Sequence, residues 1–258
     1  MIDRNLMKQT KYLIGIIFFV FTLNACAKKQ YVIKNVDGFL VEMNNTYDDH
    51  DGAKMSSFVQ SYKIKLDERM NTIVGEAAKS LTKTGSQSIL ANFTADAMQE
   101  YATEIWGPID FAIINNGGLR TTINQGPIAI SNLYEVYVFE NTLVLVDLKG
   151  NAVKELFAGF ARNKMEGFSK SIRLVLKDKA IESITIGGKP LDENATYKIA
   201  TVDYLAEGND SMEAFKQAAG YTNSNIILRD AMIEYVKKLT SENILIDANM
   251  DERLDVKE

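Results

Sequence analysis

Apolar and polar positions along this chain come in blocks whose period switches between that of a helix and that of a strand. Leu90, Phe93, Ala97, Tyr101 and Ile105 recur three or four residues apart, with Asp96, Gln99 and Glu100 filling the other face, which predicts an amphipathic helix. The continuous run Phe111-Ala112-Ile113-Ile114 then reads as a short buried strand. Ser131 is placed to cap a short helix through Tyr137. Thr142 to Leu148 predicts a second buried strand, punctuated by Gly150. Val153, Leu156, Phe157 and Phe160 mark the next helix. Ile172–Leu176 and Ile181–Ile186 read as strands joined by a polar turn, Gly187-Gly188-Lys189-Pro190 as another turn, and Tyr197–Val202 as a further strand. Leu228, Ala231, Met232, Tyr235, Val236 and Leu239 form the last helical stripe. Helices interleaved with hairpin-like and isolated strands predict an α+β fold, with mixed β-sheets flanked by helices.

The first residues follow a different logic. Arg4, Lys8 and Lys11 precede an uncharged apolar run from Tyr12 to Leu23. That run is shorter than the roughly 20 residues a transmembrane helix needs, and it has the length of a signal-peptide core. It ends in Leu23-Asn24-Ala25-Cys26, which places the chain's one cysteine where a lipoprotein precursor is acylated and cut. We therefore expect residues 1–25 to be a lipoprotein signal peptide and Cys26 to carry the lipid. Residues 26–61 are then a tether and N-terminal segment, 62–246 the folded domain and 247–258 an acidic tail prone to fraying. The expected location is outside the cytoplasm, anchored to a bacterial membrane on its periplasmic face or at the cell surface.

Charge and histidine content narrow the chemistry. The formal net charge is −5, and no basic block stands out, which argues against nucleic acid as a partner. Only one histidine, His50, is present. A two-metal phosphoesterase centre draws several imidazoles and carboxylates together, so one histidine cannot build it in its usual form. Carboxylates alone can still hold calcium or magnesium. His50 itself lies in Tyr47-Asp48-Asp49-His50-Asp51, which we read as a solvated acidic loop in preference to a metal site.

Three segments put polar loops directly after or before apolar strands. Asn115-Asn116-Gly117-Gly118-Leu119-Arg120 offers a tight backbone turn with free amides, closed by a planar guanidinium suited to phosphate, carboxylate or ribose oxygens. Val138-Phe139-Glu140-Asn141 sets an aromatic at a change of chain direction, where it can stack on a base or anchor a core. Asp203-Tyr204-Leu205-Ala206-Glu207-Gly208-Asn209-Asp210 adds a second aromatic and a carboxylate after a glycine.

In this order and spacing the three segments resemble the C-terminal domain of bacterial and animal 5′-nucleotidases. The motifs of that domain run Asn-Gly-Gly-Gly-Ile-Arg, then Pro-Phe-Gly-Asn, then Tyr-Leu-Ala-x-Gly-Gly-Asp-Gly. The resemblance extends from Ile73 to Lys238 and includes the lead-in from Gly187 through Tyr197. It implies a layered α/β/β/α domain that holds a nucleoside, with Phe139 and Tyr204 sandwiching the base and Asp210 on the ribose hydroxyls. Asn115, Gly117, Gly118, Arg120 and Gly208 complete the implied substrate site. In the family a separate N-terminal domain carries two metals and performs the hydrolysis. No catalytic residue, metal ligand or cofactor is therefore expected within this chain, and divalent metals are expected only in a partner phosphoesterase.

Departures from the family pattern bear on affinity. The first family motif is represented by Ser86 to Asn92, where Asn92 is kept but Ser86 stands in place of an arginine. Asn116 replaces a glycine, Val138 a proline, and Asn209 and Ser211 replace glycines around Asp210. The resulting expectation is the nucleoside- or nucleotide-binding half of a split 5′-nucleotidase-type hydrolase, acting with a separate metallophosphoesterase in nucleotide catabolism. The alternatives are a stand-alone nucleoside-binding lipoprotein and a degenerate domain kept as an interaction module.

Overall fold

The structure, a computed structural model, describes residues 33–42, 52–84, 87–163 and 167–257. The proposed signal segment, Cys26, the loop at 47–51 with His50, and Ser86 lie outside the described residues. The chain falls into two compact units, residues 1–55 and 56–258. In the first, residues 33–42 are exposed and without regular secondary structure. Helix α1 (Gly52–Met70) keeps most of its described side chains exposed, including Phe58, Tyr62 and Leu66.

The larger unit is built on a five-stranded mixed sheet. Its strands are β2 (Phe111–Ile114), β4 (Thr142–Lys149), β5 (Gly167–Phe168), β9 (Thr196–Val202) and β10 (Gly220–Ile227), in the order β10-β4-β9-β2-β5. β2 and β9 pair in parallel and the other pairs are antiparallel. Every residue of β2 and the last four of β9 are buried. Successive strand residues face opposite sides, so these two strands are covered on both faces, which explains why β2 reads as a continuous apolar run.

Helices supply that cover. α2 (Ile89–Trp106) packs on β2, β5 and β9 and buries Leu90, Ala91, Phe93, Ala97, Met98 and Ala102. It starts where the Ser88 hydroxyl accepts the Ala91 amide at 3.1 Å. α4 (Gly150–Asn163) packs on β4 and β9. Its Phe157 is fully buried and sits 6.0 Å from Phe111, 5.3 Å from Phe160 and 5.7 Å, edge-on, from Phe168. Truncating such a ring to alanine costs about 3–5 kcal/mol. A short helix, α5 (Asp203–Ala206), follows β9, and α6 (Leu228–Ser241) buries Leu228, Ala231, Met232, Tyr235 and Val236 and leans on α2.

A four-stranded sheet, β11-β6-β7-β8, joins β6 (Ile172–Lys177), β7 (Ala180–Ile186), β8 (Lys189–Pro190) and β11 (Leu254–Lys257), and α4 reaches it through β7. Asp178 and Lys179 turn β6 into β7 with φ of 49° and 62°, the left-handed pair that matches strand twist in a two-residue hairpin. β1 (Ile73–Ala77) and β3 (Gly126–Ala129) form a separate antiparallel pair.

Two expectations from the sequence are overturned. Ser131 does not cap the short helix α3 (Ile130–Val136). It lies inside the first turn, and the Asn132 side chain instead accepts the Ala129 amide at 2.9 Å. The tail after Ile246 is not frayed. β11 pairs in parallel with β6, and Arg253 is buried. Its guanidinium donates to Asp96 at 2.9 Å, to Asp251 at 2.6 Å and to the Phe168 carbonyl at 2.7 Å. Matched carboxylates are what let the Arg253 cation be buried under this acidic segment.

Candidate functional site

Three loops distant in sequence meet at one end of the five-stranded sheet, and strand direction is the reason. β2 and β9 are parallel neighbours, so Asn115 and Asp203, which follow them, emerge on the same side. β4 runs antiparallel to β9, with Leu143 opposite Val202, so its start brings residues 138–141 to that side too. Open α/β sheets commonly bind ligands outside the carboxyl ends of their parallel strands.

There Asn115, Gly117, Gly118, Phe139, Asn141, Tyr204 and Asp210 line a cavity of about 280 Å³. That is just below the roughly 300–1,000 Å³ typical of small-ligand pockets. Six of the eight substrate-site residues expected from the sequence are therefore brought together. Asn141 was missed as a lining residue. Its signal was available, since it closes the Phe139 segment immediately before β4.

Asp210 is the chemical centre of the cavity. Its carboxylate accepts the Asn115 side-chain amide at 2.7 Å and the Tyr204 hydroxyl at 3.0 Å. The hydrogen bond to the Asp210 carboxylate, followed by its charge, pushes the Tyr204 phenol above the ordinary tyrosine range. Asn115 is buried at the end of β2 and can take this role only in one amide orientation, because the other would set two acceptors against each other. A Cβ on Gly118 would lie 2.6 Å from Asn115 Oδ1, so the glycine gives Asn115 its place.

Two exposed aromatics border the carboxylate. Phe139 is 47% exposed and Tyr204 39%, so both rings keep a face open at the cavity. Arg120 is not in the cavity wall. Its guanidinium carbon lies 5.8 Å from the Phe139 ring centre, within cation–π range, and Nη1 reaches the Gly117 carbonyl at 3.4 Å. Gly208 also lies outside the wall. It serves the turn, with φ of 88° and the Lys216 stem 2.5 Å from where a Cβ would sit.

Around Asp210 the chain bends sharply, with left-handed φ at Asp210 (53°) and Ser211 (64°). Asn209, one of the replacements for glycine, ties the turn by donating to the Tyr204 carbonyl at 2.8 Å. Behind the turn Asp203 accepts the Tyr204 amide at 2.8 Å and the Thr142 hydroxyl at 2.7 Å, and Asn223 donates to that hydroxyl at 2.9 Å. This chain of bonds fixes the start of β4 to the end of β9. Asn92 takes no part in the cavity. It is buried and donates to the Asn249 carbonyl at 3.1 Å, holding the C-terminal segment. Among the described residues no three His, Cys, Asp or Glu side chains gather so as to hold a metal ion, and no helix is long and apolar enough to cross a membrane.

Comparison with known proteins places this arrangement. Residues 70–217 match the family described as 5′-nucleotidase, C-terminal domain. The chain is 30% identical over 189 residues to Protein UshA of Yersinia enterocolitica, an alignment spanning 71% of this chain and 34% of that one. It is 27% identical over 144 residues to a 5′-nucleotidase of Vibrio cholerae, covering 54% of this chain and 25% of the relative. Among solved structures, a 5′-nucleotidase precursor from Thermus thermophilus superposes with a TM-score of 0.67 at 22% identity, over 78% of this chain and 42% of that one. The Haemophilus influenzae NAD nucleotidase gives 0.61 at 21% identity, over 82% and 42%. These two likenesses establish the same fold of mixed sheets with flanking helices. The chain belongs to the family of 5′-nucleotidase C-terminal domains. It spans about a third or less of the length of these sequence relatives.

Proposed function

We propose that this chain binds a nucleoside or nucleotide and serves as the substrate-binding half of a 5′-nucleotidase-type hydrolase in nucleotide catabolism, with a separate metallophosphoesterase supplying the metals. The observation that carries the reading is the composition of the cavity, in which two exposed aromatic faces border one carboxylate. Stacking a base on such a ring contributes about 1–3 kcal/mol. Asp210 already accepts from Asn115 and Tyr204, but a carboxylate has about four acceptor positions, so sugar hydroxyls can still be bound. Each such charge-assisted bond is worth about 1.5–3 kcal/mol. Arg120, leaning on Phe139, stands ready for an oxygen-rich group outside the wall.

The division of labour rests on the single histidine of the sequence, which cannot assemble a usual two-metal centre. On this reading the chain positions the ligand, and the partner activates water on its metals. Calorimetric titration of the folded domain with adenosine, AMP and uridine tests the binding half. Trp106 closes α2 just before β2, at the end of that strand away from Asn115, so heat is a better signal than its fluorescence. Saturable binding lost in Asp210→Ala is the expected result. Binding untouched by Asp210→Ala, or phosphate release by the chain alone that chelators do not affect, overturns the proposal.

The same reading extends to the leader. Cys26 carries a lipid that holds the exported domain at a bacterial membrane, a role supported by the basic start and the apolar run ahead of it. Mass spectrometry of the mature protein tests this, and an unacylated Cys26 in protein retained at the membrane rules it out.

A further inference from the structure

The wall of the cavity that carries Phe139 and Asn141 is gripped from behind by the start of α6. Ile227 pairs with Thr142, and the Leu228 amide donates to the Asn141 carbonyl at 2.8 Å. The next residue, Arg229, reaches the other end of the same bend. Its Nη1 donates to the Tyr137 carbonyl at 3.3 Å, Nη2 lies 3.9 Å from the Glu140 carboxylate, and its guanidinium carbon sits 4.1 Å from the centre of the Tyr134 ring. The Arg229 side chain is 9% exposed, and its Nε has no hydrogen-bond partner. Nothing in the spacing of the sequence marks this residue, which falls within the apolar stripe of the helix.

A buried guanidinium with an unpaired N–H is costly, and its one counter-charge, Glu140, is 80% exposed and screened by water. The Tyr134 face and the Tyr137 carbonyl offset part of that cost, whereas an apolar side chain would fill the same space without incurring it. What an apolar side chain cannot do is hold Tyr137 and Glu140, the residues two before and one after Phe139. A lysine lacks the planar fork that stacks on one group while donating to another.

The geometry points to Arg229 as a positioning residue that fixes Phe139 in the orientation needed to stack on a base. It rests on the reading of the cavity as a nucleoside site and adds the determinant of its aromatic clamp. Arg229 touches no ligand itself. It acts through the bend Val138-Phe139-Glu140, held at its start through the Tyr137 carbonyl and approached at its end by the weaker, screened Glu140 contact.

A double-mutant cycle separates positioning from general support of the fold. Adenosine affinity is measured by calorimetry for the wild type, Phe139→Ala, Arg229→Lys and the double variant. The expected result is a fall of about 5-fold to 150-fold in each single variant, the range that loss of one stacking face implies, with no further fall in the double variant. Equal, multiplying losses in both backgrounds overturn the inference. Fluorine NMR of fluorophenylalanine installed at position 139 gives a readout that needs no ligand. A single narrow signal in the wild type that broadens or shifts in Arg229→Lys supports the inference, and an unchanged signal overturns it. If the wild type binds no adenosine, AMP or uridine, the nucleoside reading fails while the fluorine signal still decides whether Arg229 sets Phe139.

Discussion

Gly118→Ala probes whether the floor of the cavity is built as described. An alanine Cβ at this position would lie 2.6 Å from Asn115 Oδ1 and 3.3 Å from its Cγ, closer than real contacts allow. The backbone cannot yield easily, since the Gly118 amide is bonded to the Asn115 carbonyl at 3.1 Å and β2 is buried. The Asn115 side chain must therefore turn away, and its 2.7 Å bond to Asp210 is lost. A hydrogen bond to a charged group is worth about 1.5–3 kcal/mol, while replacing glycine by alanine recovers about 0.4–1 kcal/mol through the unfolded chain. The net expectation is a loss of about 1–2 kcal/mol, read as a lower urea midpoint with an unchanged slope. Asn115→Ala in the same chain is the control. With nothing left to strike, Gly118→Ala should become neutral or mildly stabilising. A Gly118→Ala variant within about 0.5 kcal/mol of the wild type, or a full penalty that persists beside Asn115→Ala, would refute the reasoning.

Further outcomes follow from the same geometry. Ser211→Gly removes a left-handed non-glycine residue, a relief of about 1–2 kcal/mol set against roughly 0.5–1 kcal/mol for the looser unfolded chain. A rise in the urea midpoint is expected, and a fall would count against strain at this turn. Arg253→Met leaves Asp96 and Asp251 without their cation and should cost about 1–3 kcal/mol, since both carboxylates keep some contact with water, with faster hydrogen exchange in β11. Protection of those amides unchanged from the wild type would mean that β11 is held by other contacts. The Tyr204 phenol is raised by Asp210, so its contribution to stability is present below the ordinary tyrosine value of about 10 and is lost as pH rises through the higher folded value. Asp210→Asn removes the charge, so ultraviolet titration should show one phenol ionising earlier. An unchanged titration curve would mean that the Tyr204–Asp210 bond does not form.

Much of the fold is legible because its central elements are buried strongly and simply. The run at 111–114 and the helical stripe from Leu90 became β2 and α2, since an apolar run and a 3.6-residue period each have one economical solution. β1, β3, β5, β8, β10 and β11 were not foreseen, β8 falling where the sequence reads as a turn. Most are short or partly exposed and have no alternation to see, and β10 reads as a polar segment because its side chains are only half covered. The C-terminal strand is short and partly exposed, within an acidic tail. Its anchor is Arg253 meeting Asp96, 157 residues earlier, which no local pattern reveals. The site divides the same way. Asn115, Gly118, Phe139, Tyr204 and Asp210 were visible as polar breaks beside apolar strands. Arg120 and Gly208 were visible too, but the structure gives one to the rim and the other to the turn.

The charge of the cavity limits what its wall can recognise. Its seven lining residues carry one formal charge, the Asp210 carboxylate, which is met by an amide and a hydroxyl and by no cation. Such a wall holds a ligand through ring faces and hydrogen bonds, and repels an anionic group placed against it. Arg120, outside the wall, is a cation beside it, and an exposed guanidinium is partly screened at physiological salt. On the proposed reading, the chain grips the base and sugar and leaves a phosphate to be met from outside its own wall. On that same reading the group to be cleaved would face metals supplied from outside this wall, so it should not be held fast by the residues that grip the base and sugar.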